Sequence, residues 1–480
     1  MNAHAPDALA LAAAVRTGEV SPVELVEESL ARIEAGNDAL GAFVTVTAEA
    51  ARAQAKAAEQ RVRDEGPDGL PPLFGVPTAI KDLTATAGVR TAYGSRAYAD
   101  HVPVADAHSV TRLRAAGTIS VGKTNTPEFG LTGYTENDVA GSARTPWDLA
   151  RSAGGSSGGA AAAVAAGLVP VAHGSDGGGS LRIPASVCGI FGLKPSRGRV
   201  SSGPDALDMA GLAIEGPLSR TVRDAAAFLD ALAGPMPGDA YWAPPLPAGE
   251  TFLDHTRRDP GRLRIARYAD LGEGNAAADP ACLAAYEEAS ELLGSLGHEV
   301  EDIRNPFALP GEDLGKLFFT TWAVQSLRHQ LPDPDEELLR PVTRFWRERG
   351  RELSGERFYR ALVGLQALTH RVVTALQPYD AVLTPTLGLP PQLPEFFEGA
   401  GKGVEAIDVL RRQTLFTPYT GGWNVTGQPA ASLPLHWTDA GLPIGVTLVG
   451  RPAGEAQLLS LCAQVEAARP WAGRRPPFVG

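Results

Sequence analysis

Two serines in glycine-rich turns and one lysine at the end of an apolar run are the residues of this chain whose types and spacing suit chemistry. Ser156 stands in Gly154-Gly155-Ser156-Ser157-Gly158-Gly159, and Ser180, 24 positions later, closes Ser175-Asp176-Gly177-Gly178-Gly179-Ser180. A serine hydroxyl becomes a nucleophile when a neighbouring base takes its proton. Lys81 follows Ala79-Ile80 at the end of Leu73 to Thr84, and a lysine drawn into a poorly solvated site favours the neutral amine, which is a base. A lysine at a strand end more commonly snorkels to solvent. What favours the base here is its appearance together with the two serine turns.

The elements between these residues must bring them to one place. The Ala-rich run Gly158 to Gly167 reads as a helix ending at a glycine, and Leu168 to Ala172 as a short strand. A ten-residue helix advances about 15 Å and a five-residue strand returns about 16 Å, so both serines are expected at one edge of the unit. The run Leu73 to Thr84 reads as a buried strand that emerges into a loop at Lys81-Asp82. A helix around Ser109 to Ala116 and a strand over Thr118 to Gly122 follow. Upstream, Asp7 to about Gln60 reads as scaffold helices, with Ser21-Pro22-Val23-Glu24 resembling a capped start. Further on come a Pro/Gly-rich linker over Gly234 to Gly249, a strand over Leu263 to Tyr268 and a helix over Pro280 to Leu296. Strands are expected again over Ala381 to Thr384, Ala430 to Leu435 and Ile444 to Val449. This alternation of helix and strand predicts an α/β fold. No internal repeat is evident, so residues 1–480 read as one domain, with its core over about 60–230 and 375–480. The stretch of about 235–370 reads as a variable, peripheral section, and Pro310 to Glu356 as peripheral within it.

Composition narrows the function. With 480 residues and 44% hydrophobic content the chain can bury a large core, while a net charge of -12 argues against a grip on nucleic acid or anionic membrane. The first residues lack a positive n-region, and the longest small and apolar run, Ala160 to Ala172, is too short to span a bilayer. A cytoplasmic protein, monomeric or homodimeric, acting on a small molecule is the expectation. Cys188, Cys282 and Cys462 have neither zinc nor disulfide spacing and read as reduced and structural. The nine histidines show no metal-ligand pair at helical spacing, and neither a phosphate loop nor a dinucleotide fingerprint occurs. No metal and no cofactor are therefore expected.

Taken together, Lys81 in GVPTAIKD, the turn 154–159, Ser175 to Arg182 with Ile183-Pro184-Ala185, and Gly192-Leu193-Lys194-Pro195 closely resemble the amidase signature family of serine hydrolases. The resemblance runs from the N-terminal helices through GKTNTPEFG and TEN to Asn424-Val425-Thr426-Gly427-Gln428-Pro429-Ala430. It implies the family's fold, a central twisted mixed sheet covered by helices on both faces, and a Ser-cisSer-Lys triad. Ser180 would be the nucleophile that forms an acyl-enzyme. Ser156, on a cis peptide bond, would pass its proton to neutral Lys81. Gly177, Gly178 and Gly179 lack side chains, so their amides, with that of Ser180, can form an oxyanion hole. Ser157, Asp176 and Arg182 are assigned by resemblance to holding the loops. Gly130, Leu131 and Thr132 would lie beside the triad and meet the substrate.

Other readings compete. Gly154 to Gly158 formally matches a nucleophile elbow, but that turn must follow a buried strand, and Pro146 to Ala153 reads as a loop. Cys188 lies close enough to Ser180 to raise a thiol nucleophile, but its apolar neighbours point to a packed site. Tyr134, Trp322 and Trp423 are candidate walls of an acyl pocket, although buried aromatics are more often plain core. The leading expectation is hydrolysis of a linear or cyclic carboxamide to acid plus amine or ammonia. The alternatives are the glutaminase subunit of a tRNA-dependent amidotransferase and an inactive binding protein on an amidase core.

Overall fold

The computed structural model of the chain describes residues 6–204, 208–308, 313–327, 333–397 and 403–478. Helices α1 (Ala8–Thr17) and α2 (Pro22–Leu40) open it, and the expected start of α2 is a full capping box: Ser21 and Glu24 each bond the other's backbone amide region. Strand β1 (Phe43–Val46), helix α3 (Ala48–Glu65), strand β2 (Pro77–Lys81), helix α4 (His108–Ala115) and strand β3 (Ile119–Thr124) complete a three-stranded sheet of order β1-β3-β2. Within it β2 and β3 run parallel, which places the C-terminal ends of both at one edge, Lys81 opposite Thr124.

Two short hairpins follow, β4/β5 (Glu136–Asn137, Gly141–Ser142) and β6/β7 (Arg144–Thr145, Asp148–Ser152). Helix α5 (Gly158–Ala165) is composed almost wholly of Gly and Ala and is buried on every side, which is why it shows no polar face. Strand β8 spans Val171–Asp176 rather than Leu168 to Ala172. The polar residues His173 to Asp176 have little strand propensity of their own; they are extended because β10 pairs with them residue by residue, from Ser219 opposite Val171 to Ile214 opposite Asp176. The chain continues through α6 (Arg182–Cys188), β9 (Phe191–Lys194), β10 (Ile214–Ser219), α7 (Val222–Leu232) and α8 (Phe252–His255). The expected linker over Gly234 to Gly249 carries no helix or strand.

The remainder is β11 (Arg264–Arg267), α9 (Pro280–Ser295), β12 (Glu299–Asp302), α10 (Leu314–Gln325), α11 (Pro341–Glu352) and α12 (Gly355–Ala375). Then come β13 (Ala381–Pro385), α13 (Ala406–Phe416), α14 (Gly422–Thr426), β14 (Ala430–Trp437), β15 (Pro443–Gly450) and α15 (Glu455–Ala468). Eight strands form a mixed sheet of order β12-β11-β13-β15-β14-β9-β10-β8. Its edge strand β8 lies beside β2, with Thr78 Oγ1 donating to the Val171 carbonyl at 3.0 Å. Two apolar cores flank it. One gathers α7, α9 and α15, the other α2, α5 and α6, and the adjacent residues Val171 and Ala172 on β8 fall into different cores, as the pleat requires. The fold is thus α/β with a central mixed sheet covered by helices. Among the described residues no helix is long and apolar enough to cross a membrane.

Candidate active site

Lys81 ends β2 with no solvent exposure. Its Nζ lies 2.7 Å from Ser156 Oγ, 3.0 Å from Ser175 Oγ and 3.3 Å from the Ser175 carbonyl oxygen. Burial pushes the amine down to about 7, against the opposing pull of the Asp176 and Glu215 charges. The lysine at the strand end is therefore enclosed, and it does not snorkel.

Ser156 is joined to Gly155 by a cis peptide bond. Gly155 has no alternative side chain: a Cβ there would stand 2.6 to 2.8 Å from the backbone of Tyr134. Ser157 ties the two serine turns together. Its amide donates to the Ser180 carbonyl at 3.2 Å, its Oγ donates to the Ser175 carbonyl at 3.1 Å, and it accepts from the Ser175 amide at 3.2 Å.

Ser180 follows β8 by one turn, and Asp176 shapes that turn. The fully buried Asp176 carboxylate accepts from the amides of Gly179 (2.7 Å) and Leu181 (3.1 Å), from Arg182 Nε (2.9 Å) and Nη2 (3.0 Å), and from Asn424 Nδ2 (2.9 Å). Burial alone would raise this carboxyl, but the Arg182 charge and these hydrogen bonds hold it well below the usual carboxylate range. Arg182 donates in addition to Asn424 Oδ1 at 2.7 Å and the Thr420 carbonyl at 2.9 Å. Opposite charges flanking Ser180 thus serve as a brace.

One expectation needs correction. The Gly179 amide is spent on Asp176 Oδ1, so it is not free for a substrate oxygen. The amides of Gly177, Gly178 and Ser180 carry no hydrogen bond to another described residue. Cys188 is buried, with its thiol pushed up to about 12 by burial, and is unsuited to nucleophilic attack.

The family model described as Amidase matches residues 24–459. The chain belongs to the amidase family. It is 38% identical to the 6-aminohexanoate-cyclic-dimer hydrolase of Paenarthrobacter ureafaciens, over 98% of this chain and 97% of that one. It is 35% identical to an acylamidase of Rhodococcus erythropolis, over 99% and 98% of the two chains. A solved structure of 6-aminohexanoate cyclic dimer hydrolase complexed with substrate superposes with a TM-score of 0.90 at 36% identity, covering 99% of each chain. This amidase is accordingly a hydrolase of amide C–N bonds other than peptide bonds, acting on small molecules.

In the amidase, Ser180 opens into a cleft of about 930 Å³ whose wall includes Gly130, Leu131, Thr132 and Gly178. Gly130 sits against Ser156: a Cβ on it would come 3.2 Å from Ser156 Oγ. Residues 130–132 thus line the same cleft as Ser180. Helix α10 supplies the far wall. Phe318 and Trp322 stack at 5.3 Å, and Cβ atoms on Gly177 and Gly178 would meet Trp322 at 3.0 Å and Phe318 at 3.1 Å. The segment from Pro310 to Glu356, which reads as peripheral in sequence, thus reaches the centre of the site; its residues 310–312 and 328–332 lie outside the described residues. Of the other candidate aromatics, Trp423 is buried against Phe307 and Tyr268, and Tyr134 stacks on Phe397 at 4.6 Å, so both are core. Sequence reasoning gave no role to Ser175, Thr420 or Asn424. Asn424 stands in a stretch that carries the resemblance, but its partner is not legible there: only the fold brings it from 248 positions downstream to Asp176.

Proposed function

We propose that the amidase hydrolyses a small linear or cyclic carboxamide through an acyl-enzyme on Ser180, with Ser156 and Lys81 as its proton relay. The observation that carries this reading is the enclosed Lys81 amine 2.7 Å from Ser156 Oγ, at the edge where Ser180 faces the cleft. Ser180 Oγ attacks the carbonyl carbon while its proton passes to Ser156, whose own proton passes to neutral Lys81. The oxyanion that forms is met by the amides of Gly177, Gly178 and Ser180, an interaction worth about 3–4 kcal/mol per donor in comparable sites. As the C–N bond breaks, the proton returns from Lys81 through Ser156 to the leaving nitrogen. Water then attacks the acyl-enzyme with the same relay, releasing the carboxylate and restoring Ser180. None of these steps calls for a metal or cofactor.

The cleft supports an organic amide larger than the amide of glutamine, since a volume of about 930 Å³ lies at the upper end of small-molecule sites. Its aromatic and aliphatic walls, Leu131, Ile183, Phe318 and Trp322 among them, suit an apolar acyl or cyclic body. Residues 130–132 fit contact with the scissile amide. We read the chain as one domain, monomeric or homodimeric, and its three free cysteines suit the cytoplasm.

The test is a panel of aliphatic, aryl and cyclic amides, with esters, assayed on the wild type beside Ser180→Ala and Lys81→Ala. Turnover that both variants lose supports the reading. Full turnover by both would refute it.

A further inference from the structure

Glu215 stands next to the catalytic lysine without reaching the substrate. It lies on β10 directly across from Ser175 on β8, and Ser175 is the residue whose Oγ and carbonyl oxygen face Lys81 Nζ. One Glu215 carboxylate oxygen accepts from Thr84 Oγ1 at 2.9 Å, just past Lys81 in the chain, and the other stands 3.4 Å from His173 Nε2. With Ser175 it lines a chamber of about 180 Å³, which Leu131 and Trp322, lining both, divide from the cleft of Ser180. An amide at Ser180 therefore lies in a different cavity from Glu215.

The charges around the lysine are not equivalent. Burial drives Lys81 toward the neutral amine, and two carboxylates, Asp176 and Glu215, oppose it. Asp176, the stronger of the two, is locked in a two-pronged pair with Arg182 and already serves to hold the Ser180 turn. Glu215 has no lysine or arginine within ion-pair distance among the described residues; the His173 ring stands 3.4 Å from it. Burial pushes the Glu215 carboxyl up, but His173 and hydrogen bonds more than offset this, and it lies below its ordinary value and is charged at neutral pH. The other charged groups facing this cluster are Lys123 on β3, with Asp82 4.0 Å from it, Asp106 ahead of α4, and Asp208, which lines the same chamber.

We propose that Glu215 is a positioning residue of the amidase: anchored by Thr84 beside Ser175, its carboxylate adds to that of Asp176 the negative charge that keeps the buried Lys81 basic enough to take the proton of Ser156. The proposal rests on the relay assigned above. Without this charge the amine becomes neutral at lower pH and is also a weaker base, so the accessible pH range widens downward while the maximal rate falls.

The experiment uses Glu215→Gln, which keeps the volume and can still accept from Thr84. The rate of Ser180 labelling by a fluorophosphonate is measured against pH in the full-length protein, with amide turnover alongside. The expected result is an acid-limb midpoint about one pH unit lower, which is about tenfold in the neutral fraction of Lys81 below both midpoints, and a lower plateau. Glu215→Asp, which keeps the charge, is expected to hold the wild-type midpoint. A Glu215→Gln midpoint equal to the wild type, or a uniform loss of rate at every pH, overturns the proposal and leaves the triad standing. A wild type that neither labels nor turns over any amide overturns the triad and this proposal together. Should Glu215→Gln not fold, Thr84→Val frees the carboxylate from its anchor. The midpoint must then move in the same direction by a smaller step, and a stationary one overturns the proposal.

Discussion

Replacing Asp176 by alanine tests whether the nucleophile turn is held by a stranded-charge penalty. The variant removes the acceptor of five hydrogen bonds, two from Arg182 and one each from Gly179, Leu181 and Asn424. Arg182 has no solvent exposure, so its guanidinium is left uncompensated, at about 3–5 kcal/mol. The two orphaned amides add about 1–3 kcal/mol each unless water enters the space of the lost carboxylate. A loss on the order of 5 kcal/mol is expected, a large share of the about 5–15 kcal/mol that holds a folded protein. Arg182→Met is expected to lose less, about 3 kcal/mol, because Asp176 keeps three donors. The double variant contains no stranded charge, so its loss should fall short of the sum of the singles by about 2 kcal/mol or more. Urea unfolding followed by tryptophan fluorescence reads all three, with fluorophosphonate labelling of Ser180 as the functional counterpart. A loss below about 1 kcal/mol for Asp176→Ala, or an additive double variant, would refute the reasoning.

Further outcomes follow from the same geometry. Because the Lys81 amine is held down to about 7 and must be neutral to accept a proton, kcat/KM should rise as pH increases through about 7 and level off above it; a flat or acid-favoured profile of the chemical step counts against a lysine base. Trp322→Ala should raise KM and lower kcat together, since the ring both walls the cleft and backs Gly177 so closely that a Cβ there would meet it at 3.0 Å, and unchanged kinetics across the amide panel would remove the ring from the site. Gly159→Ala should destabilise the fold by about 1–3 kcal/mol or more, because the new methyl would stand 2.4 Å from backbone atoms of Ala42 and Asn125; thermal unfolding checks it. All three cysteines are buried, so an aromatic disulfide reagent should titrate none in the native protein and all of them in denaturant, and fast native reaction at Cys188 would refute its packing.

The site and the fold were legible to different depths. Lys81, Ser156 and Ser180 could be found because glycine turns and a strand end leave local marks, and the α/β alternation around them followed from periodicity. The extent of β8 could not, because His173 to Asp176 are extended only by pairing with β10. The role of Gly179 was misjudged for a similar reason. A glycine triplet indicates bare amides, but which amide the carboxylate of Asp176 claims depends on how the turn closes. The aromatic wall of α10 lay beyond reach because Phe318 and Trp322 approach the glycines through tertiary packing alone. Asn424 and Glu215, far along the chain from Ser180 and Lys81, act through contacts that sequence spacing does not encode.

The bonds from Thr420 and Asn424 to Arg182 and Asp176 have a temporal consequence. During synthesis the nucleophile turn emerges from the ribosome with its buried guanidinium still lacking the Thr420 carbonyl and the Asn424 side chain. The same holds for the last partners of Asp176, whose carboxylate and carbonyl both receive Asn424 Nδ2. A nascent or prematurely terminated chain therefore carries the lysine and both serines yet lacks the clasp that sets Ser180. Hydrolytic competence is therefore expected only late in translation, and a fragment ending before residue 420 is expected to leave Ser180 unlabelled by a fluorophosphonate.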